Sequence, residues 1–194
     1  MSVAIAVEDR VLRITLDRPS ERNQLTATMA WKIVEAVRQP SSGVGAVLLE
    51  GRGDVFCYGA FEALPDEFWT LHRAAVPIVA GVHGACLSEG VALIAQAHVV
   101  IAAQGTSLGL TEIRKGAAPV ALHLVGAAIG QRRAAELALS GRVFSATEAM
   151  QMGLVHEVAP AFEYDERAEA VAHHLSKANA DAVRAILRQG DTRI

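Results

Sequence analysis

Cysteine is almost missing from this chain. Two thiols, Cys57 and Cys86, in 194 residues cannot supply a disulfide framework, and each lies in an apolar stretch where a buried, reduced thiol is the expected state. Long hydrophobic runs are missing too. The longest apolar stretches, "AAVPIVAGV" and "VALIAQAHVVIAA", are interrupted by Pro77, Gln96 or His98 and fall short of the roughly 18 clean residues a membrane span needs. There is no basic run, and the formal net charge is −3, which argues against a nucleic-acid or anionic-membrane surface. The N-terminal stretch carries Glu8 and Asp9 where a secretory signal needs unbroken apolar residues, so a soluble, cytoplasmic protein is expected. Small-molecule or protein partners remain.

Several catalytic signatures are also lacking. The seven histidines show no metal-ligand spacing, and the pair His173 and His174 fits a solvated helix face better than a ligand set, so no metal is expected. The chain has no phosphate-loop pattern, no dinucleotide fingerprint after its first strand and no G-x-S-x-G nucleophile turn. No exact repeat or low-complexity tract is present.

What the chain does have is apolar substance: 52% of its residues are hydrophobic, enough to bury a core in one domain. Residues 10–16, "RVLRITL", alternate as a half-buried strand does and predict a hairpin with residues 3–7. "TATMAWKIVEAVRQ" places Met29, Ile33, Val34 and Val37 at helical spacing, with Pro40 to Gly43 ending the helix. "GAVLLEG", "PIVAGV" and "HVVIAA" read as strands buried on both faces, which makes the fold a layered α/β one. Helices are expected over about 87–97, 118–139, 146–152 and 161–188. In "SATEAMQMG", Ser145 is an N-cap, Glu148 its capping-box partner and Gly153 the left-handed terminator. The segment from Pro160 reads as a helical appendage to the core.

Two glycine turns, "VFCYGAF" at 55–61 and "VHGACLSEG" at 82–90, each follow an apolar strand. Two such turns side by side could aim main-chain N–H groups at one oxygen and form an oxyanion hole. The glycines alone fit tight turns and close helix packing at least as well. Glu112, in "SLGLTEIRKG", sits among apolar residues and glycine, where burial would raise its pKa and suit it to proton transfer. A first-turn helix carboxylate, or a partner for Arg114, is the competing account.

Taken together in this order and spacing, "ITLDRPSERNQLT", "VFCYGAF", "VPIVAGVHGACLSEGVALIAQAHVVIA", "SLGLTEIRKGAAP" and "LALSGRVFSATEAMQMGLVHEVAP" resemble the enoyl-CoA hydratase/isomerase family of the crotonase superfamily. The resemblance covers about residues 10–160. It implies a spiral of ββα units with two roughly perpendicular sheets as a core over 1–159, and a C-terminal helical segment over 160–194 serving trimerisation or as a lid. It also implies a homotrimer or hexamer acting on an acyl-CoA thioester, with coenzyme A arriving as part of the substrate and no resident cofactor.

Carried onto this chain, the first oxyanion donor is the N–H of Ala60 and the second that of Glu89, the middle of Ser88, Glu89 and Gly90 where the family has a triple-glycine turn. Of the two glutamates that family hydratases use, the first falls on Ala92 and the second on Glu112. A single carboxylate fits double-bond isomerisation better than hydration. Tyr58, Gly59, Phe61, Gly84, Gly90, Ala92 and Gly116 are the candidate substrate-binding positions. Phe61 stands where the family has an acidic residue. The stretch "EALPDEFWTLHRAAV" is shorter than the family's acyl cover, so a more open pocket is expected, refilled in part by Phe61, Phe68 and Trp69. Two other readings stay open: an impaired paralogue that binds acyl-CoA or a protein partner, and a decarboxylase or dehydratase acting on carrier-bound thioesters.

Overall fold

Strands that bury both of their faces decide the architecture. The computed structural model describes residues 2–191; Met1 and 192–194, the ends of the two expected segments, lie outside the described residues. The expected hairpin forms from β1 (Val3–Glu8) and β2 (Val11–Leu16), antiparallel with Val3 opposite Leu16. Parallel strands β3 (Ala46–Gly51), β4 (Ile78–Val82), β6 (Val99–Ala103) and β9 (Glu157–Ala159) extend it. The result is a six-stranded sheet of order β1-β2-β3-β4-β6-β9. A second sheet, of order β5-β7-β8, joins β5 (Ala85–Leu87), β7 (Ser107–Gly109) and β8 (Val143–Ser145).

Each face of the larger sheet has its own core. Leu12, Ile14, Val47, Leu49, Ile78, Ala80, Val82 and Val100 face the main one, which α1 (Ala27–Arg38) covers with Met29, Ile33, Val34 and Val37. Val11, Leu48, Val79 and Ile101, one residue out of phase, meet Ala168 and Ala172 of α6 (Tyr164–Ser176) on the other face. Burial on both sides is why these strands read as continuous apolar runs. The approach of α6 is close: a Cβ added at Gly81 would lie 3.1 Å from the Ala168 Cβ. The C-terminal segment therefore begins with a helix that shares a core with the sheet, and α7 (Ala180–Asp191) follows it.

Three expected helices are shorter or divided. The second sheet takes 85–87, leaving α2 as Glu89–Ile94. The 118–139 helix divides at Gly130, whose φ of 88° and ψ of 141° no helix admits, giving α3 (Leu122–Ile129) and α4 (Gln131–Ser140). The 161–188 helix breaks after Ser176 and restarts at Asn179, whose Oδ1 accepts the N–H groups of Asp181 and Ala182 at 3.1 and 3.0 Å, an N-cap. The helix α5 spans Ala146–Met152 as read: Ser145 Oγ accepts the Glu148 N–H at 3.1 Å and Gly153 closes it at φ 89°. The Glu148 carboxylate does not complete a capping box; it lies 2.7 Å from Arg142 instead. Among the described residues, no helix is long and apolar enough to cross a membrane.

Candidate functional site

The two glycine turns are zipped together by the backbone. The Phe56 N–H donates to His83 O at 3.0 Å, the Cys57 N–H to Ala85 O at 3.2 Å and the Leu87 N–H to Cys57 O at 2.9 Å. Gly84 and Gly90 allow this approach. A Cβ at Gly84, where φ is +60°, would fall 1.9 Å from Asp54 O, and one at Gly90 would be 2.9 Å from Cys57 O, both closer than side chains pack. Further along the first turn, Leu25 and Ala60 form a β-bridge, with the Leu25 N–H donating to Gly59 O at 2.9 Å and the Phe61 N–H to Leu25 O at 2.8 Å. Asn23 fastens this region from beneath. It is fully buried, its Nδ2 donates to Arg52 O at 2.9 Å and Val55 O at 2.8 Å, and its Oδ1 accepts the Arg18 N–H at 2.9 Å.

With the turns side by side, Ala60 faces Glu89. The Ala60 N–H donates to Glu89 Oε2 at 2.9 Å. The same oxygen would sit 3.0 Å from a Cβ at Gly59, whose φ is +96°, so the carboxylate occupies the room that the missing side chain leaves. Glu89 opens α2, and an N–H in a helix's first turn has no i→i−4 acceptor. Ser88 before it is bent to φ 54° and ψ −121°, a conformation that costs a non-glycine residue about 1–3 kcal/mol. The Ser88 N–H donates to Gly109 O at 2.7 Å, and its Oγ lies 2.9 Å from Thr111 Oγ1.

Thr111 leads into Glu112, the first residue of a short 3-10 turn, Glu112–Lys115, which Gly116 ends in the left-handed conformation. Glu112 is 9% exposed, and its Oε2 has no hydrogen-bond partner among the described residues. Burial raises the carboxyl's pKa above the usual carboxylate value, and the nearby Glu89 charge adds to the rise; the Ser88 hydroxyl and Lys115 oppose it. No ion pair joins Glu112 to Arg114 among the described residues. The buried Cys57 thiol beside the turn is pushed up to about 12 by desolvation, so it stays protonated.

The structure thus brings Gly59, Ala60, Glu89, Gly90 and Glu112 into one region, tied together by Ser88 and Thr111. Ala92, read as the family's first glutamate position, is buried one turn along α2 and carries no carboxylate. Tyr58 is at its rim, 37% exposed, with the Arg22 guanidinium 4.9 Å above its ring. Gly84 shapes the turn, and Gly116 is exposed with open space about it. Of the aromatics read as refilling the pocket wall, Phe68 and Trp69 are core residues packed edge to face at 5.1 Å, while Phe61 is 74% exposed. Sequence reasoning passed over Ser88, Thr111 and Asn23. For Asn23 the only sequence signal was an amide in the turn-forming stretch "DRPSERNQLT"; for Ser88 and Thr111 there was none, since their pairing depends on tertiary approach.

A cavity of about 490 Å³ lies away from this region, between the β1–β2 edge and α6. Its main charged lining is already satisfied: Arg13 pairs with Glu50 at 2.9 Å and with Glu169 at 2.8 Å. Among the described residues, no group of three or more His, Cys, Asp or Glu could hold a metal ion.

Comparison with known proteins agrees with the fold. The enoyl-CoA hydratase/isomerase family model matches residues 61–192. The mevalonyl-coenzyme A hydratase of Aspergillus fumigatus is 32% identical over 90% of this chain and 72% of its own length. An enoyl-CoA hydratase structure from Mycobacterium avium superposes with a TM-score of 0.88 at 28% identity, covering 99% of this chain and 88% of that one. A Thermobifida fusca protein solved in complex with CoA superposes equally well, at 25% identity over 96% of this chain and 83% of that one. With its two-sheet fold, paired glycine turns and buried glutamate, this chain belongs to the enoyl-CoA hydratase/isomerase family of the crotonase superfamily.

Proposed function

We propose that the protein moves the double bond of an enoyl-CoA thioester, using Glu112 as its one acid–base group. The observation that carries this reading is the pairing of a buried Glu112, whose Oε2 has no partner among the described residues, with an alanine at position 92. Hydration needs one group to activate water and another to manage the α-carbon proton. A double-bond shift needs one base that takes a proton and returns it nearby. In a 3-enoyl thioester the Glu112 carboxylate takes a C2 proton, and the electron pair moves toward the thioester oxygen to give a dienolate. The same carboxyl then delivers the proton to C4, leaving a 2-enoyl thioester and a regenerated carboxylate.

The developing negative charge is on the thioester oxygen, where the Ala60 and Glu89 N–H groups would receive it. Burial of Glu112 favours its neutral form and so strengthens it as a base. Coenzyme A is part of the substrate, and the working form is a homotrimer or hexamer. The test is a 3-enoyl-CoA isomerisation assay on the wild type and Glu112→Gln. The substitution should cost about 10²–10⁴-fold in turnover with crotonyl-CoA binding nearly intact; unchanged turnover would remove Glu112 from the mechanism. One observation favours a second reading, an acyl-CoA-binding paralogue with impaired catalysis: the Glu89 carboxylate already holds the Ala60 N–H.

A further inference from the structure

The Ala60 N–H is not free to receive a substrate oxygen, because Glu89 Oε2 accepts it at 2.9 Å. An ionised carboxylate oxygen is also the group in the protein whose charge most resembles the oxygen of an enolate. We infer that the Glu89 side chain is a built-in competitor for the oxyanion site, a plug that a thioester carbonyl must displace before the Ala60 N–H can act on it. This inference rests on the acyl-thioester reading and deepens it. One residue then has two opposed parts: its main-chain N–H belongs to the oxyanion site, while its side chain keeps the other donor occupied.

Three features hold the plug in place. Gly59 leaves room for it, since the carboxylate oxygen lies 3.0 Å from where a Cβ would be. The bend at Ser88, with φ 54° and ψ −121°, turns the chain into α2 so that the Glu89 side chain meets the first turn. The hydrogen bond is charge-assisted, stronger than a neutral one. Against it works the nearby Glu112, whose pKa the Glu89 charge helps to raise. Like charges repel, so the plug is held by the Ala60 N–H and opposed by the base. Glu89 is half-buried, which leaves its side chain a route out when a ligand enters.

The test compares two ligands: crotonyl-CoA, which has a thioester carbonyl, and S-butyl-CoA, a thioether that has none. Glu89→Ala keeps the backbone N–H and removes the competitor. It should tighten crotonyl-CoA binding about tenfold and leave S-butyl-CoA binding unchanged, with Glu89→Gln giving a smaller gain through a neutral acceptor. In the unliganded protein the Ala60 amide proton resonance should move upfield in Glu89→Ala, as a hydrogen bond to a carboxylate is lost. An equal gain for both ligands, no gain for either, no binding of any thioester by any variant, or an unmoved Ala60 resonance would each overturn the plug. A carbonyl-specific gain without isomerisation in any variant would keep the plug and discard the isomerase reading. Isomerisation in the wild type with no gain in Glu89→Ala would do the reverse.

Discussion

At the scale of single residues, the site is governed by where two carboxylates lie. Glu112 is buried with its Oε2 unpartnered among the described residues, and its pKa is raised first by desolvation and then by the Glu89 charge. A general base must be ionised, so turnover should fall as pH drops through a value above the ordinary carboxylate range. Removing the Glu89 charge should move that acid limb to lower pH, as the pH–rate profile of Glu89→Ala would show. Stability follows the opposite course. When the folded pKa of a carboxylate lies above the unfolded one, the unfolded chain ionises first as pH rises, and stability falls through that window. Glu112→Gln escapes this cost. In urea melts it should be more stable than the wild type near about pH 7 and indistinguishable near about pH 3, below the ordinary carboxylate range. Equal stability at both pH values would mean that Glu112 ionises as freely in the folded protein as in the unfolded one.

At the scale of elements, most of the larger sheet was legible because its hairpin strand β2 alternates, β3, β4 and β6 are short continuous apolar runs, and the flanking helices carry a longer period. The hairpin, β3, β4, β6, α1 and α5 all stand where the residue patterns put them. The short strands β5, β7, β8 and β9 have three residues each, too few for any period to register. The helix breaks at Gly130 and Asn179 depend on one residue each, and a window long enough to detect a helix averages over them. At the site, the types and positions of Glu112, Ala60 and Glu89 could be read from their motifs. The direction of the Glu89 side chain could not, because it is set by how closely the two glycine turns approach. Close approach also decides how α6 tolerates change. Ala168 is 1% exposed and faces Gly81 at near-contact distance, so Ala168→Leu should push the helix off the sheet. Overpacking of this kind costs about 1–3 kcal/mol, measurable as a lower urea midpoint with an unchanged slope. A variant as stable as the wild type would show that α6 can shift without loss.

At the scale of the whole molecule, what stays uncovered matters. Phe162, Leu139, Phe61, Val120 and Ile186 are each at least 67% exposed in the single chain, although the chain fills two cores on either side of its main sheet. Scattered exposed apolar residues are ordinary on a monomer, but Phe61 and Val120 flank the glycine turn and the Glu112 segment, where an acyl chain would need walls. The stretch between Phe61 and Pro77 folds Phe68 and Trp69 into the core, so it offers no aromatic side chain from those positions to close over a substrate. In the proposed oligomer a neighbouring subunit would supply such a wall, and covering these side chains would remove apolar surface from water, about 25 cal/mol for each Å². If the proposed homotrimer or hexamer is the working form, sedimentation equilibrium should give a mass that is a multiple of three of the 20.5 kDa chain, and Phe61→Glu or Val120→Glu should shift it toward the monomer while raising KM for the proposed enoyl-CoA substrate. A wild-type monomer with full turnover would mean that one chain encloses its own acyl group.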